Sequence, residues 1–338
     1  MILKAEDAQT MTLHDQEDRR KPSRRALYIP WILLVVLAVA WSAGWFWLRG
    51  ETRRQMDAGA AELRAAGYTV SWDDRTFGGY PFRIDSNMTG FRIGEPSGWS
   101  ISAPNIRAEA FVYKLDHWVA YAPDGVVLNR PIGGPVTIKG KGLRASLSGI
   151  DETVPRVAVE GFGLTFAPAP GAQPYLLRSA DHLDLHLRPG PQDQGAVLLK
   201  VDGARALLPG LLSRIAQDQP VSMDVEMILS KMSAMEGRDW RSMVRSWADA
   251  GGTATLQNAS LTGGGAVLAA HGGALSVGDD GRVEGGLDVD LRKAGEALSD
   301  MSGGMIPPQA GFAGANLKFE GGQTILGPLP IAPAPRVY

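Results

Sequence analysis

Two periodicities divide the chain. Residues 26–48, ALYIPWILLVVLAVAWSAGWFWL, form an apolar run without a charged residue. At the helical rise this run spans roughly 35 Å, enough for a hydrocarbon core of about 30 Å. Tyr28 and Trp31 lie near one end, and Trp41, Trp45, Phe46 and Trp47 near the other, where amphipathic rings favour the headgroup level. From Tyr68 onward, apolar and polar positions alternate with a period of two, the pattern of strands with one buried face. A helical period returns in four places. In residues 51–66, Met56, Ala60 and Leu63 recur at spacings of four and three, and Gly67 is a natural stop. Residues 231–250 carry Trp240, Met243, Val244 and Trp247 on one helical face, closed by Gly251 and Gly252. Shorter helices are expected at 208–217 and 292–300.

The alternating stretches predict strands at 68–72, 135–150, 156–166, 175–187, 196–202 and 221–229, then through 253–291 with a turn at Asp279-Asp280-Gly281. A last hairpin pairs 316–319 with 324–326, and the proline-rich chain from Gly327 reads as an extended tail. Phe82, Ile84 and Met88 are expected on one face of an early strand, with a bulge at Gly90. The fold class is α+β and strand-dominated. A single N-terminal transmembrane helix is followed by large curved antiparallel β-sheet or sheets with a few packing helices. The expected divisions are a cytoplasmic tail (1–25), the anchor (26–48), a stalk helix (49–67), a first β-rich unit (68–220) and a second (221–338).

Charge sets the orientation. Arg19, Arg20, Lys21, Arg24 and Arg25 precede the apolar run and Arg49, Arg53 and Arg54 follow it, an imbalance that favours a cytoplasmic N-terminus. Ala38-Val39-Ala40 has the form of a signal-peptide cleavage site. The apolar run continues past it through Leu48, which favours a retained anchor. Both readings place the bulk of the chain in the periplasm. The chain has no cysteine, so disulfides, thiol catalysis and zinc–thiolate sites are excluded. A net charge of −2 argues against a nucleic-acid partner.

The anchor, the GYTVSW strand, the motif GGYPFRID (Gly79, Tyr80, Pro81, Phe82 and Arg83 at its centre), SAPNIRAEAFVYK, YAPDG and the closing GGQTILGPLPIAPAP together resemble an uncharacterised, mostly alphaproteobacterial family, domain of unknown function 2125. That resemblance implies an anchored or exported envelope protein and brings no catalytic residues. Through DGRVEGGLDVDL and the alternating segments the chain is also similar to AsmA-type proteins, which are associated with lipid traffic in the bacterial envelope.

No motif carries a reaction. His182 and His186 alternate with Leu183, Leu185 and Leu187, so they sit on a strand, about 13 Å apart. That is too far to share a zinc with bonds of about 2.0–2.1 Å. Gly140-Lys141-Gly142-Leu143-Arg144-Ala145 matches a dinucleotide fingerprint on paper but leads into a strand rather than a helix. His117 and His271 are isolated, and Asp288 and Asp290 read as solvated strand positions. The expectation is therefore a non-enzyme without cofactor or metal. It is held at the bacterial inner membrane through residues 26–48 and binds a lipid or hydrophobic envelope component in a groove that includes Phe82, Ile84, Met223, Val225 and Met227. The alternative is a periplasmic scaffold for an envelope protein partner.

Overall fold

A computed structural model describes residues 24–150, 152, 154–207, 219–263, 266–292 and 312–338. The chain divides into two compact units, Met1–Trp47 and Leu48–Tyr338. Helix α1 (Arg24–Ala65) carries the apolar run, and its stretch from Tyr28 onward is long and apolar enough to cross a membrane. Within the second unit, residues 48–65 of α1 are pinned to the first strands. Arg64 Nε donates to the Val70 carbonyl at 2.8 Å, and Arg75 donates to Asp57 at 2.5 Å. The helix then stops at a turn in which Tyr68 N–H reaches back to the Leu63 carbonyl at 3.0 Å.

Among the described residues, all eighteen strands belong to one sheet. In chain order they are β1 (Thr69–Ser71), β2 (Asp74–Gly78), β3 (Arg83–Gly94), β4 (Ser100–Phe111), β5 (Lys114–Tyr121) and β6 (Val126–Arg130). Next come β7 (Gly134–Lys139), β8 (Arg144–Ser148), β9 (Arg156–Pro168), β10 (Leu177–Gly190), β11 (Gln194–Ala206) and β12 (Val221–Leu229). The last six are β13 (Ala254–Gly263), β14 (Ala266–Val277), β15 (Val283–Arg292), β16 (Phe312–Glu320), β17 (Gln323–Leu326) and β18 (Leu329–Pro333).

Three pairs of short strands act as single rungs. β1 and β2 run along β3 without a change of register, from Thr69↔Gly94 to Gly78↔Asp85. β7 and β8 do the same along β9, from Val136↔Pro168 to Ser148↔Arg156. β5 and β6 follow one another along β4 with a one-residue slip at the YAPDG turn. Merging these pairs reduces eighteen strands to fifteen rungs, each antiparallel to the next in sequence order. The described strands form one meander. The boundary expected at 220/221 falls inside the ladder, where β11 pairs with β12 from Gly195↔Leu229 to Ala204↔Val221.

The register explains the alternation. Directly opposed residues share a face, and one line of them crosses the sheet as Ser86, Ala108, Ala120, Ala145, Val159, Leu185, Leu199, Val225, Ala259, Ala270 and Val289. The neighbouring line, one residue away on every rung, emerges on the other face as Asn87, Arg107, Tyr121, Arg144, Glu160, Asp184, Lys200, Asp224, Ser260, Ala269 and Asp290. The whole sheet is amphipathic. Its apolar face contains two buried clusters, one around Val136, Leu164, Phe166 and Val201, the other around Leu256, Ala270, Val289 and Leu317.

The helix expected at 231–250 is shorter than its periodicity. A 3-10 turn (Met232–Ala234) comes first, and helix α2 (Trp240–Asp249) begins only at an extended Asp239. The Asp239 carboxylate accepts from Ser242 N–H while Ser242 Oγ accepts from Asp239 N–H, a reciprocal cap that fixes the start. Gly237 and the left-handed Lys231 (φ 54°) keep the preceding residues out of the helix. Gly90 makes no bulge: β3 keeps register with both neighbours. The tail is not free, because β18 pairs with β17, and Val337 N–H donates to the Gly281 carbonyl at 2.8 Å. The helix expected at 208–217, and that at 292–300 beyond Arg292, lie outside the described residues.

Candidate functional site

Trp240, the first residue of α2, joins three distant parts of the chain. Its backbone N–H donates to Glu95 Oε2 at 2.9 Å, and its indole Nε1 donates to the Val337 carbonyl at 2.7 Å. Strand direction alone puts these groups at opposite ends of the sheet, since Glu95 follows the end of β3 that pairs with β1 and α2 follows the other end of β12. Seven rung-to-rung steps separate β3 from β12. At about 20–25° of twist per step they accumulate roughly 140–175°, which reverses the strand ends and brings α2 back over the β3–β4 turn.

Beneath this junction is a cavity of about 420 Å³ lined by Tyr68, Ile93, Gly94, Glu95, Trp99, Ser100, Ile101, Leu128 and Trp240. The Glu95 carboxylate and the backbone around it are engaged within the protein. Glu95 Oε1 accepts from Ser97 Oγ, Glu95 N–H donates to the Trp99 carbonyl at 2.9 Å, and the Gly94 carbonyl accepts from Thr69 Oγ1 at 3.5 Å. A guest would find aromatic and aliphatic surface rather than hydrogen-bonding partners. A second cavity of about 320 Å³, lined by His186, Arg188, Val197, Glu226, Met227 and Gln257 among others, is mixed in character.

The five residues expected to form one groove are not brought together. Ile84 is completely buried, and Phe82 lies in the turn before β3 with 61% of its surface exposed. Met223, Val225 and Met227 share the apolar face of β12. Met223 packs on the Val136 cluster, Val225 on the Val289 cluster, and Met227 lines the second cavity. The cavity under Trp240 draws on Tyr68 and Trp99, which the β1–β3–β4 register places side by side, and on Trp240, which the accumulated twist brings to them.

The motif GGYPFRID forms the β2–β3 reversal. Gly79 has φ 96°, and a Cβ there would lie 2.6 Å from the Arg83 carbonyl oxygen, so only glycine fits. The Tyr80–Pro81 peptide is cis. Arg83 then joins a polar network: it donates to Glu109 at 3.2 Å, while Arg107 donates to the buried Asp85 at 2.6 Å.

On the polar face, register assembles a cluster around His182. Its Nε2 lies 3.3 Å from Asp184 Oδ2 and 3.6 Å from Glu160 Oε1, its Nδ1 lies 3.8 Å from Asp202, and its ring stacks on Phe162 at 4.4 Å. The ligand atoms of Glu160, His182 and Asp184 fall within 4.8 Å of one another, a spacing that a divalent cation could bridge. Arg144 pairs with Glu160, and Lys200 sits 3.7 Å from Asp202, so these cations offset the Glu160 and Asp202 carboxylates. The arrangement reads as a cross-strand ion-pair network. His186 lies two residues beyond Asp184, opposite Ala158 and Leu198, outside the cluster. His271 pairs loosely with Asp290 at 3.7 Å, and His117 faces Ser148 across the ladder. Asp288 accepts from Asn316 at 3.4 Å, so these positions serve the sheet.

A family model described as "Uncharacterized protein conserved in bacteria (DUF2125)" matches residues 45–335. No curated protein and no solved structure matches the chain.

Proposed function

This chain belongs to the bacterial DUF2125 family, and we propose that it is a membrane-anchored, non-catalytic envelope protein whose periplasmic β-unit binds a lipid or similar hydrophobic component. One observation carries the reading. Fifteen rungs present a continuous apolar face, and among the described residues the helical contacts with the sheet are few: α2, ten residues long, against β14, and residues 48–65 of α1 against β1 and β2. A sheet of that width needs a second layer. Curling supplies some of it, and a bound hydrocarbon supplies more, at about 0.8 kcal/mol for each buried CH₂. The cavity under Trp240 is the first place for such a chain, since it offers apolar walls and few hydrogen-bonding groups.

The test is photolabelling of the full chain, reconstituted in membranes that contain a phospholipid with a diazirine at the acyl terminus. Crosslinks at Trp99, Ile101 or Leu128 are expected in addition to those in residues 26–48. Crosslinks confined to residues 26–48 would sink the reading.

The alternative reading is a scaffold that recruits a partner through sheet edges or the proline-rich C-terminal tail. The C-terminal residues that would recruit a partner are held by Trp240, Gly281 and the Arg282↔Arg336 bridge.

A further inference from the structure

One end of the first rungs carries a rim of exposed apolar side chains. The β2–β3 turn exposes Tyr80 (53%) and Phe82 (61%), the β4–β5 turn exposes Phe111 (46%) and Tyr113 (74%), and the turn after β8 exposes Ile150 (55%). The pairs Arg83↔Phe111, Phe111↔Lys114 and His117↔Ser148 place all three turns at the same end of their strands. Val112 N–H donates to the Phe82 carbonyl at 3.0 Å, and Phe111 stacks on Tyr113 with ring centroids 5.1 Å apart, so the first two turns form one surface, with Ile150 at the same end of the adjoining strand. Contiguous apolar patches of this kind mark an interaction surface.

The polarity of residues 48–65 says at which end of the β-unit Leu48 lies. Arg64 is bonded at Val70 and Asp57 at Arg75, so moving back along the helix moves forward along β1 and β2. Leu48 therefore belongs to the Gly78 end of the unit, the end that carries the rim, and the residues that precede it in sequence are the apolar run. Tyrosine and phenylalanine also suit a bilayer interface, which solvates the ring body and leaves a hydroxyl tip in water. The nearby charges are largely internally paired, Arg83 with Glu109 and Arg107 with Asp85, so the rim offers apolar contact rather than a charged footprint.

We propose that the rim formed by Tyr80, Phe82, Phe111, Tyr113 and Ile150 docks into the surface of the lipid bilayer. The docking seats the β-unit against the membrane instead of leaving it to swing on its helix. This rests on residues 26–48 being a retained anchor and is independent of whether the cavity holds a lipid.

The chain has no cysteine, so each introduced thiol is unique. Full-length Phe82→Cys, Tyr113→Cys and Ile150→Cys carry a nitroxide in vesicles of equal parts phosphatidylethanolamine and phosphatidylglycerol. Ile132→Cys, at the opposite end of these strands, is the aqueous control, and Leu34→Cys reports the span itself. Collision rates with oxygen and with a nickel chelate give label depth. The rim labels are expected to show an oxygen-to-nickel ratio several-fold above that of Ile132→Cys and unchanged in high salt. Rim labels as aqueous as Ile132→Cys, with Leu34→Cys in lipid, would overturn the docking while leaving the anchor and cavity intact. An aqueous Leu34→Cys would overturn the anchor and the docking with it.

Discussion

The amide of Trp240 is capped by the carboxylate of Glu95, which lies 145 residues earlier in the chain. Asp239 satisfies the amide of Ser242 in the same first turn, so α2 begins between two carboxylates, as a helix N-terminus favours. One belongs to its own chain segment and the other to the β3–β4 turn. Glu95 thereby holds the helix over the cavity. Glu95→Ala is expected to cost about 1.5–3 kcal/mol, the range for a hydrogen bond to a charged group, and Glu95→Gln less, because an acceptor remains. Hydrogen exchange should show faster opening in residues 240–249 and 93–101 and no change in β9–β11.

Core and half-solvated apolar positions are separable on one sheet. Leu164 is 2% exposed within the Val136 cluster, whereas Leu185, on the same meander, is 37% exposed. Leu164→Ala is expected to destabilise the chain by about 2–5 kcal/mol through lost burial and a residual cavity. Leu185→Ala should cost under about 1 kcal/mol, since half-solvated surface loses less. Urea titration of the detergent-solubilised chain distinguishes the two. Equal losses would mean that Leu185 is core and that the apolar face is closed.

Tyr175 predicts an alkaline limb. Burial pushes its hydroxyl above the ordinary tyrosine value, and the nearby Arg130 opposes that only weakly. Its ring stacks on Phe166 at 5.4 Å and lies under the Arg130 guanidinium. A folded-state pKa raised above the unfolded value leaves its contribution intact below the unfolded pKa of about 10 and removes it as pH rises through the folded one. Stability is expected to fall more steeply above pH 10 in the wild type than in Tyr175→Phe, as followed by denaturant midpoints at successive pH values.

Much of the architecture is legible in the alternation, because a strand with one buried face must write that face into its sequence. The rows through Ala108, Leu199 and Val225 on one side and Arg107, Lys200 and Asp224 on the other are that record. Long-range geometry is not written there. Nothing local to Trp240 or Glu95 announces their meeting, since it follows from twist summed over seven rungs. The surroundings of His182 were equally hidden: Glu160 and Asp202 reach it only through the registers of β9 and β11. The overlong helix at 231–250 was a periodicity read through Gly237 and Asp239, residues that start helices rather than continue them.

Two glycines face a close backbone approach between β14 and β15, where Gly273 has φ 124° and Gly285 has φ 122°. A Cβ on Gly273 would lie 2.2 Å from the Gly286 carbonyl oxygen, and one on Gly285 would lie 2.3 Å from that of Ala274. Each glycine thus admits the other strand's backbone, which cannot rotate aside as a side chain can. Gly171 also has a positive φ, 81°, but nothing lies within 4 Å of its Cβ position. Gly171→Ala therefore measures the left-handed backbone cost alone, roughly 1–2 kcal/mol. Gly273→Ala carries a comparable cost and must also force β14 and β15 apart beside the Leu287 and Val289 core, for an expected loss of about 4 kcal/mol or more, the range reserved for such strain. Thermal or urea unfolding of the two variants side by side reads the difference. Gly273→Ala should also expose the amides of β14 and β15 to exchange, and equal losses at the two positions would show that the strands have room to separate.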